Sequence, residues 1–289
     1  MVTGPTAAVQ ARRQALSFGM YRIPAFASLV LLAAGARAMA AQAPLDDERA
    51  EYAEWLASAP NSPYRAVAQQ PIGPGIRIAS DGDLPLEGIV EARVTQDRGA
   101  VRLETGGERR VLPRFRPVTL GRYTLVAGGP PGRTVLSVFD PARTPGAPEY
   151  YPAEPSLVFV GPLLPPSAPR IERLLAPDGV EVEATEAGSV LVTLGGTTTR
   201  LKVMRIPDPA TGESELEIFF RDSTNAKGTY PAGRFVALAP AGDGRYRLDF
   251  NRARNPFCAY SSAYACPAPW RGNALPAAIA AGEQYHPER

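Results

Sequence analysis

The residues best placed to do chemistry lie in the last third of this 289-residue chain. Asp222, Asp249 and Glu283 stand in three polar, aromatic-rich stretches: RDSTNAKGTYPAGRF (221–235), LDFNRARNPFCAYSSAYACPAP (248–269) and AAIAAGEQYH (277–286). Two carboxylates facing each other across a cleft can act as general acid and base in hydrolysis. The same groups can instead accept bonds from backbone amides or from the nearby Arg221, Arg234 and Arg252, and then they hold structure. Thr224, Tyr230, Arg234, Asn251, Asn255, Tyr260 and Asn273 complete a set able to line a pocket for a small polar ligand. Asp222-Ser223-Thr224-Asn225 also suits tight turns, because short polar side chains bond their own backbone.

Other chemistries fall away on residue types alone. A Ser-His-Asp triad needs a histidine base, and the one histidine, His286, is three residues from the end. A Cys-His nucleophile fails on the same count. Lys202 and Lys227 are the only lysines, and Lys227 sits in an Asn-Ala-Lys-Gly turn. No Gly-rich phosphate loop of either dinucleotide or Walker type is present. Nothing in the sequence calls for a cofactor or a metal. The formal net charge of +2 creates no field that would attract nucleic acid or an anionic membrane.

Cys258 and Cys266 are the only cysteines. In an exported chain two such residues usually pair. Free thiols, or a metal site completed by other residues, are the alternatives, and the thiols could carry a redox role of their own.

The elements that would position these groups follow from patterning. Arg12, Arg13 and Arg22 precede the apolar run PAFASLVLLAAGA (24–36), which is too short for a bilayer span but suits a signal-peptide core. Small-x-small sites follow, and a cut after Ala40 is expected; Met20 offers a second possible start, Arg12-Arg13 a twin-arginine route, and an uncleaved anchor the competing reading. No later segment is apolar enough to span a membrane. The lysine-poor, alanine- and proline-rich composition fits a GC-rich bacterial genome. With 31 prolines and 27 glycines, many short turns are expected rather than long helices.

Leu45 to Ala59 has helical spacing. Tyr52, Trp55, Leu56 and Ala59 share a face, Glu48, Arg49, Glu51 and Glu54 face water, Asp46 or Asp47 caps the start, and Pro60 ends the helix. A short turn is expected over 63–68. From about residue 72 the period changes to two, as in 89–94, 101–104 and 180–184, with turn residues every 8–12 positions. GAVRLETGGERRVLP (99–113) lies over GSVLVTLGGTTTRLK (188–202) at a constant offset of 89, so each reads as a strand, a Gly-Gly turn and a return strand, by duplication or by coincidence. The expected organisation is a signal peptide (1–40), a helical segment (44–70), a first β-rich half (71–163) and a second (164–289), or one continuous domain over 44–289. PLLPPSAP (162–169) is a stiff connector between the halves, or the crossing of one sheet's edge. The fold class is mainly β, an antiparallel sandwich or barrel-like arrangement with one short N-terminal helix.

The C-terminal motifs resemble those of domain-of-unknown-function family 1684, a bacterial family. The first block matches at Phe220, Asp222, Thr224, Lys227, Thr229, Tyr230, Gly233, Arg234 and Phe235. The second matches at Asp249, Phe250, Asn251, Ala253, Asn255, Pro256, Cys258, Ala259 and Tyr260. Cys266, Pro267, Pro269, Asn273, Leu275, Ala281, Gly282 and Glu283 complete the pattern. Ala226 stands where the family has glycine, and Trp270 where a proline is usual. The resemblance covers roughly residues 216–285 and implies a β-rich fold and no assigned activity. Family members without an export signal carry the same two cysteines, which weighs against a purely oxidative role for them. The sequence therefore points to an exported, monomeric protein whose motif loops bind a small polar ligand or a protein partner without catalysis. A hydrolase using two of Asp222, Asp249 and Glu283 is the alternative.

Overall fold

A computed structural model describes residues 44–286, apart from 131, 209, 210 and 212. The export segment expected over 1–40 lies outside the described residues. Helix α1 (Leu45–Ser58) comes first. It is followed by β1 (Ala66–Pro71), β2 (Ile76–Ile78), β3 (Ala92–Asp97), β4 (Ala100–Thr105), β5 (Glu108–Val111), β6 (Val118–Leu120), β7 (Tyr123–Gly128) and β8 (Val135–Phe139). Then come β9 (Val158–Pro162), β10 (Ile171–Leu175), β11 (Glu181–Leu194), β12 (Thr197–Pro207), β13 (Ser214–Phe220), β14 (Arg234–Gly242) and β15 (Arg245–Asp249). Every strand pairing is antiparallel.

Helix α1 buries Tyr52 and Leu56, and Ala59 just beyond its end, the face that the three-and-four spacing predicts. Its start is built differently from the expectation. Pro44 occupies the cap without a side-chain bond, while Asp46, Asp47 and Glu48 fill the first turn, where negative charge suits the helix dipole. Glu48 and Arg49 do not point to water; both reach the C-terminal motifs. The turn expected over 63–68 is a single 3-10 turn, Pro63–Arg65, and β1 starts at Ala66 because its backbone pairs with β8. In the 89–94 stretch only the part from Ala92 is strand.

Two four-stranded sheets, ordered β1-β8-β7-β6 and β2-β3-β4-β5, face each other as a sandwich. Ile76, Ile78, Val94, Val101 and Leu103 pack with Leu120, Tyr123, Leu125, Leu136 and Val138 in one cluster. Each such buried aliphatic contributes roughly 1.5–3 kcal/mol. The third sheet has seven strands, ordered β10-β11-β12-β13-β14-β15-β9. It curls until Leu164, just past β9, pairs with Ser189 of β11 through two N–H···O bonds of 2.8 Å. Val190, Val192, Leu201, Val203, Ile218, Phe220, Val236, Leu238 and Leu248 fill the interior of this barrel-like sheet. The connector after β9 thus runs from one edge strand of this sheet to the other, β10.

Both Gly-Gly hairpins form as read. Gly106-Gly107 and Gly195-Gly196 have φ of 58°, 80° and 55°, 78°, the conformation of a two-residue turn with both central residues left-handed. The two hairpins occupy different places, one at the β4–β5 edge and the other inside the curled sheet.

Gly188 sits at a β-bulge in β11 with φ 146°, and a Cβ there would collide with the Leu164 carbonyl oxygen. It lets the sheet close on itself. Gly188→Ala is expected to lose roughly 2 kcal/mol or more through strain and a displaced Leu164–Ser189 pair. Urea unfolding checks this; an unchanged midpoint would contradict the closure role.

Candidate functional site

The motif residues converge on the end of the curled sheet, under α1. At their centre is Arg234, the first residue of β14, whose side chain is fully enclosed. Its Nη2 donates to Asp222 Oδ2 at 2.9 Å and to the Ile279 carbonyl at 2.8 Å. Its Nη1 donates to the carbonyls of Ala281 and Glu283. Phe220 lies beneath the guanidinium, 5.3 Å from ring centroid to Cζ. Burial lowers the Arg234 pKa, and the Asp222 charge opposes that. The 279–283 segment is thereby wound around one side chain of a strand.

Asp222 spends its other oxygen locally. Oδ1 accepts from Thr224 N at 2.8 Å, Thr224 Oγ1 at 2.5 Å and Ile279 N at 3.2 Å. Asp249 caps the 3-10 turn Phe250–Arg252, accepting from Asn251 N at 3.1 Å and Asn251 Nδ2 at 2.9 Å, with Arg247 and Arg252 each at 3.3 Å from its other oxygen. Glu283 accepts from Tyr260 Oη at 2.5 Å and from Asn255 N at 2.8 Å. Burial pushes its pKa up to about 7, against the pull of those two donors. The Tyr260 hydroxyl continues to Tyr52 of α1 at 3.2 Å.

Three asparagines act as stand-ins for peptide groups, since a side-chain amide offers the same donor and acceptor as a backbone unit. Asn273 bridges the place where β12 and β13 splay, accepting from Lys202 N at 2.7 Å and donating to the carbonyls of Lys202 at 2.9 Å and Phe219 at 3.1 Å. Asn251 does the same for Glu154, at 2.7 and 3.1 Å. Asn225 links Asp222 N and Tyr230 O. Asn255 donates its amide to the Gln284 carbonyl at 2.9 Å.

Helix α1 is fastened to this cluster. Glu48 pairs with both Arg252 and Arg254, Arg49 donates to the Asn251 carbonyl at 3.1 Å, and Arg254 lies over the Tyr52 ring at 4.4 Å. The structure joins Cys258 and Cys266 as a disulfide with α-carbons 5.5 Å apart. Tyr230 Oη rests against it, donating to the Cys258 carbonyl at 3.1 Å. Ala226 adopts φ 62°, so the turn that glycine usually makes is here made by a residue with a Cβ.

Of the ten residues expected around a pocket, Thr224, Tyr230 and Tyr260 are half-buried and the other seven are buried. They hydrogen-bond to one another and to the backbone around them. Each of the three carboxylates is enclosed by a different set of donors. One void touching this region, lined by Leu45, Glu48, Arg49, Tyr150, Asn251, Arg252 and Arg254, measures about 10 Å³. Among the described residues, no group of three or more histidines, cysteines or acids is placed to hold a metal.

A larger groove of about 350 Å³ lies elsewhere, on the curled sheet between β9 and β11. Val190, Val192, Leu238 and Leu248 form its floor, with Phe159 and Tyr246 beside them. Sequence reasoning passed over these residues. The available signals were the proline run after β9, which marks an edge strand, and the unbroken apolar triplet Val190-Leu191-Val192 in an otherwise alternating strand.

The fold and the motif cluster define a curled antiparallel β domain stapled from within by a buried arginine–aspartate pair. Residues 147–284 match the family described as "Protein of unknown function (DUF1684)". The resemblance read in the motifs is thus shown, and it extends N-terminally to include β9. A solution NMR structure of an uncharacterized protein from Haloarcula marismortui is similar, with 28% identity over 50% of this chain and 79% of that one, at a TM-score of 0.43. No curated protein matches the chain.

Two outcomes follow from this geometry. Asp222→Asn or Arg234→Met leaves one buried charged group without its partner and is expected to cost about 3–5 kcal/mol; urea denaturation measures it, and a loss near zero would refute the clamp. The second concerns pH. The Glu283 pKa is raised on folding, from 4.5 to about 7. Its contribution is therefore full below about pH 4.5 and lost as pH rises through 7, an effect of at most about 3 kcal/mol. Asp178 and Glu217, also raised by burial, act in the same sense and persist in a Glu283 variant. Glu283→Gln should flatten the fall in stability between pH 5 and 8 relative to the parent chain; equal slopes would contradict the assignment.

Proposed function

We propose that this chain is an exported, monomeric, non-catalytic binding protein, in which the motif cluster supplies a rigid frame and the groove between β9 and β11 supplies the ligand surface. The observation that carries this reading is the state of the three carboxylates. Each is buried and fully engaged by donors of the same chain, so none is free to move a proton to a substrate, whereas the groove is open and apolar. Hydrolysis by two of Asp222, Asp249 and Glu283 has no comparable support, because a general acid or base must reach the substrate proton directly or through one water. The disulfide likewise fits a structural staple better than a thiol chemistry. Ligand pockets of roughly 300–1,000 Å³ are the usual size, and the groove falls at the lower end. Export is supported by the charged-then-apolar pattern of residues 12–40 and its small-x-small sites. Among the described residues, no helix is long and apolar enough to cross a membrane.

Two measurements test this. N-terminal sequencing of the protein recovered from its native cells should begin at Ala41 in the exported fraction; an intact 24–36 run would overturn export. Amide shift mapping against a small-molecule panel should give responses at 158–162 and 190–194. Responses confined to 222–283 would return the site to the motif loops.

A further inference from the structure

The groove exists because the curled sheet fails to finish closing. The closing pair is Leu164 with Ser189, bonded in both directions. Continued along both strands, that antiparallel register sets Pro162 opposite Leu191, the next position at which both residues should exchange bonds. Proline has no N–H to give. The two strands therefore part. Beyond the parting, β9 is paired only with β15, and β11 from Val190 to Leu194 only with β12, because β10 covers only Glu181–Thr185. The result is a wedge, closed at Leu164 and open at its other end, with an apolar floor and two strand edges as walls.

The outer rim of this wedge, beside its closed end, is not electrically neutral. Arg245 reaches across from β15 and donates Nη2 to the Val160 carbonyl at 2.9 Å. Arg200, opposite Leu191 on β12, donates Nη1 to Ser189 Oγ at 2.7 Å. Among the described residues neither guanidinium makes an ion pair. A cation thus stands beside each wall, and each lies next to a large apolar side chain left open to solvent: Val160 is 43% exposed and Leu191 50%. An apolar trough flanked by cations complements a molecule with a hydrocarbon body and an anionic head.

We propose that the groove binds a free medium-chain fatty acid, its chain on Val190, Val192, Leu238 and Leu248 and its carboxylate at Arg245 and Arg200. This rests on the reading of the groove as the ligand surface and names the ligand's class. The chain gains by leaving water. The carboxylate sits at the exposed rim, where its charge adds selectivity more than affinity.

The test is calorimetric titration of the full chain with sodium decanoate, and with decanol and acetate as the chain and the head taken separately. Decanoate should bind one to one, decanol more weakly, and acetate not at all. Gly161→Trp places a bulky ring over the groove, and nothing lies within 4 Å of the Cβ it would add. This variant should weaken decanoate at least about tenfold. Leu191→Trp, at an exposed wall position, serves as the second block should the first unfold the protein. Arg245→Gln combined with Arg200→Gln should weaken decanoate about fivefold and leave decanol unchanged. The proposal is overturned if decanoate does not bind, if neither blocking variant weakens it, or if decanol binds as tightly as decanoate. Binding of a capped Val-Thr-Val-Thr-Val peptide at the groove, with no binding of decanoate, would also overturn it in favour of strand addition. That last outcome leaves the proposed binding function standing, whereas silence of the groove towards every probe removes both.

Discussion

An arginine side chain with no access to water must have its charge balanced and its donors satisfied from within. Through Nη1 and Nη2, Arg234 reaches one carboxylate, Asp222, and three carbonyls of the 279–283 segment, while its buried Nε has no hydrogen-bond partner among the described residues. Much of the C-terminal architecture follows. The segment must pass close to β14, so it is drawn across the end of the curled sheet. Asp222 must present one oxygen to the guanidinium, so its other oxygen is free to order the turn at Thr224 and to receive the Ile279 amide. Glu283 is carried into the interior with the segment, where Tyr260 and Asn255 receive it.

The pattern explains why residue types typical of active sites occur here without a cleft. Asp, Asn, Arg and Tyr are the side chains able to satisfy backbone groups that no strand reaches. Asn273 mends a split between β12 and β13, Asn251 holds the chain before β9, and Asp249 caps a turn. The cluster then becomes the seat of α1, through Glu48 and Arg49 and the Tyr52–Tyr260 contact. The N-terminal helix and the C-terminal motifs are in this way one structural unit, although Arg49 and Asn251 lie 202 positions apart and Tyr52 and Tyr260 208.

The sequence carried the local part of this account and not the distant part. The α1 face, the Gly-Gly hairpins and the antiparallel β class were legible because each depends on residues within a few positions of one another. The Asp222–Thr224 turn is of the same kind. Arg234 could be named as a partner for a carboxylate, but not as the winding post for 279–283, since that depends on how the sheet curls. Asn273 and Lys202 lie 71 residues apart, and no spacing rule links them. Glu48 and Arg49 were read as solvated because helical periodicity reveals the apolar face only; their partners, Arg252, Arg254 and Asn251, come from the other end of the chain. The groove was missed for the converse reason: Pro162 signals an edge, but which strand it fails to meet is decided by the register at Leu164 and Ser189.

Frame and groove divide the molecule's tasks. The motif cluster is closed, charged and densely hydrogen-bonded, while the wedge beside β9 is apolar and open. The division depends on the cluster opening only when the whole domain unfolds, and native-state amide hydrogen exchange measures this most directly. The amides of Thr224, Ile279 and Asn255, bonded to Asp222 and Glu283, should exchange as slowly as the interior amides of β13 and β14, with the same denaturant dependence. Exchange of those three amides by a separate, faster local opening, with β13 and β14 still protected, would contradict the central role given to Arg234 and Asp222.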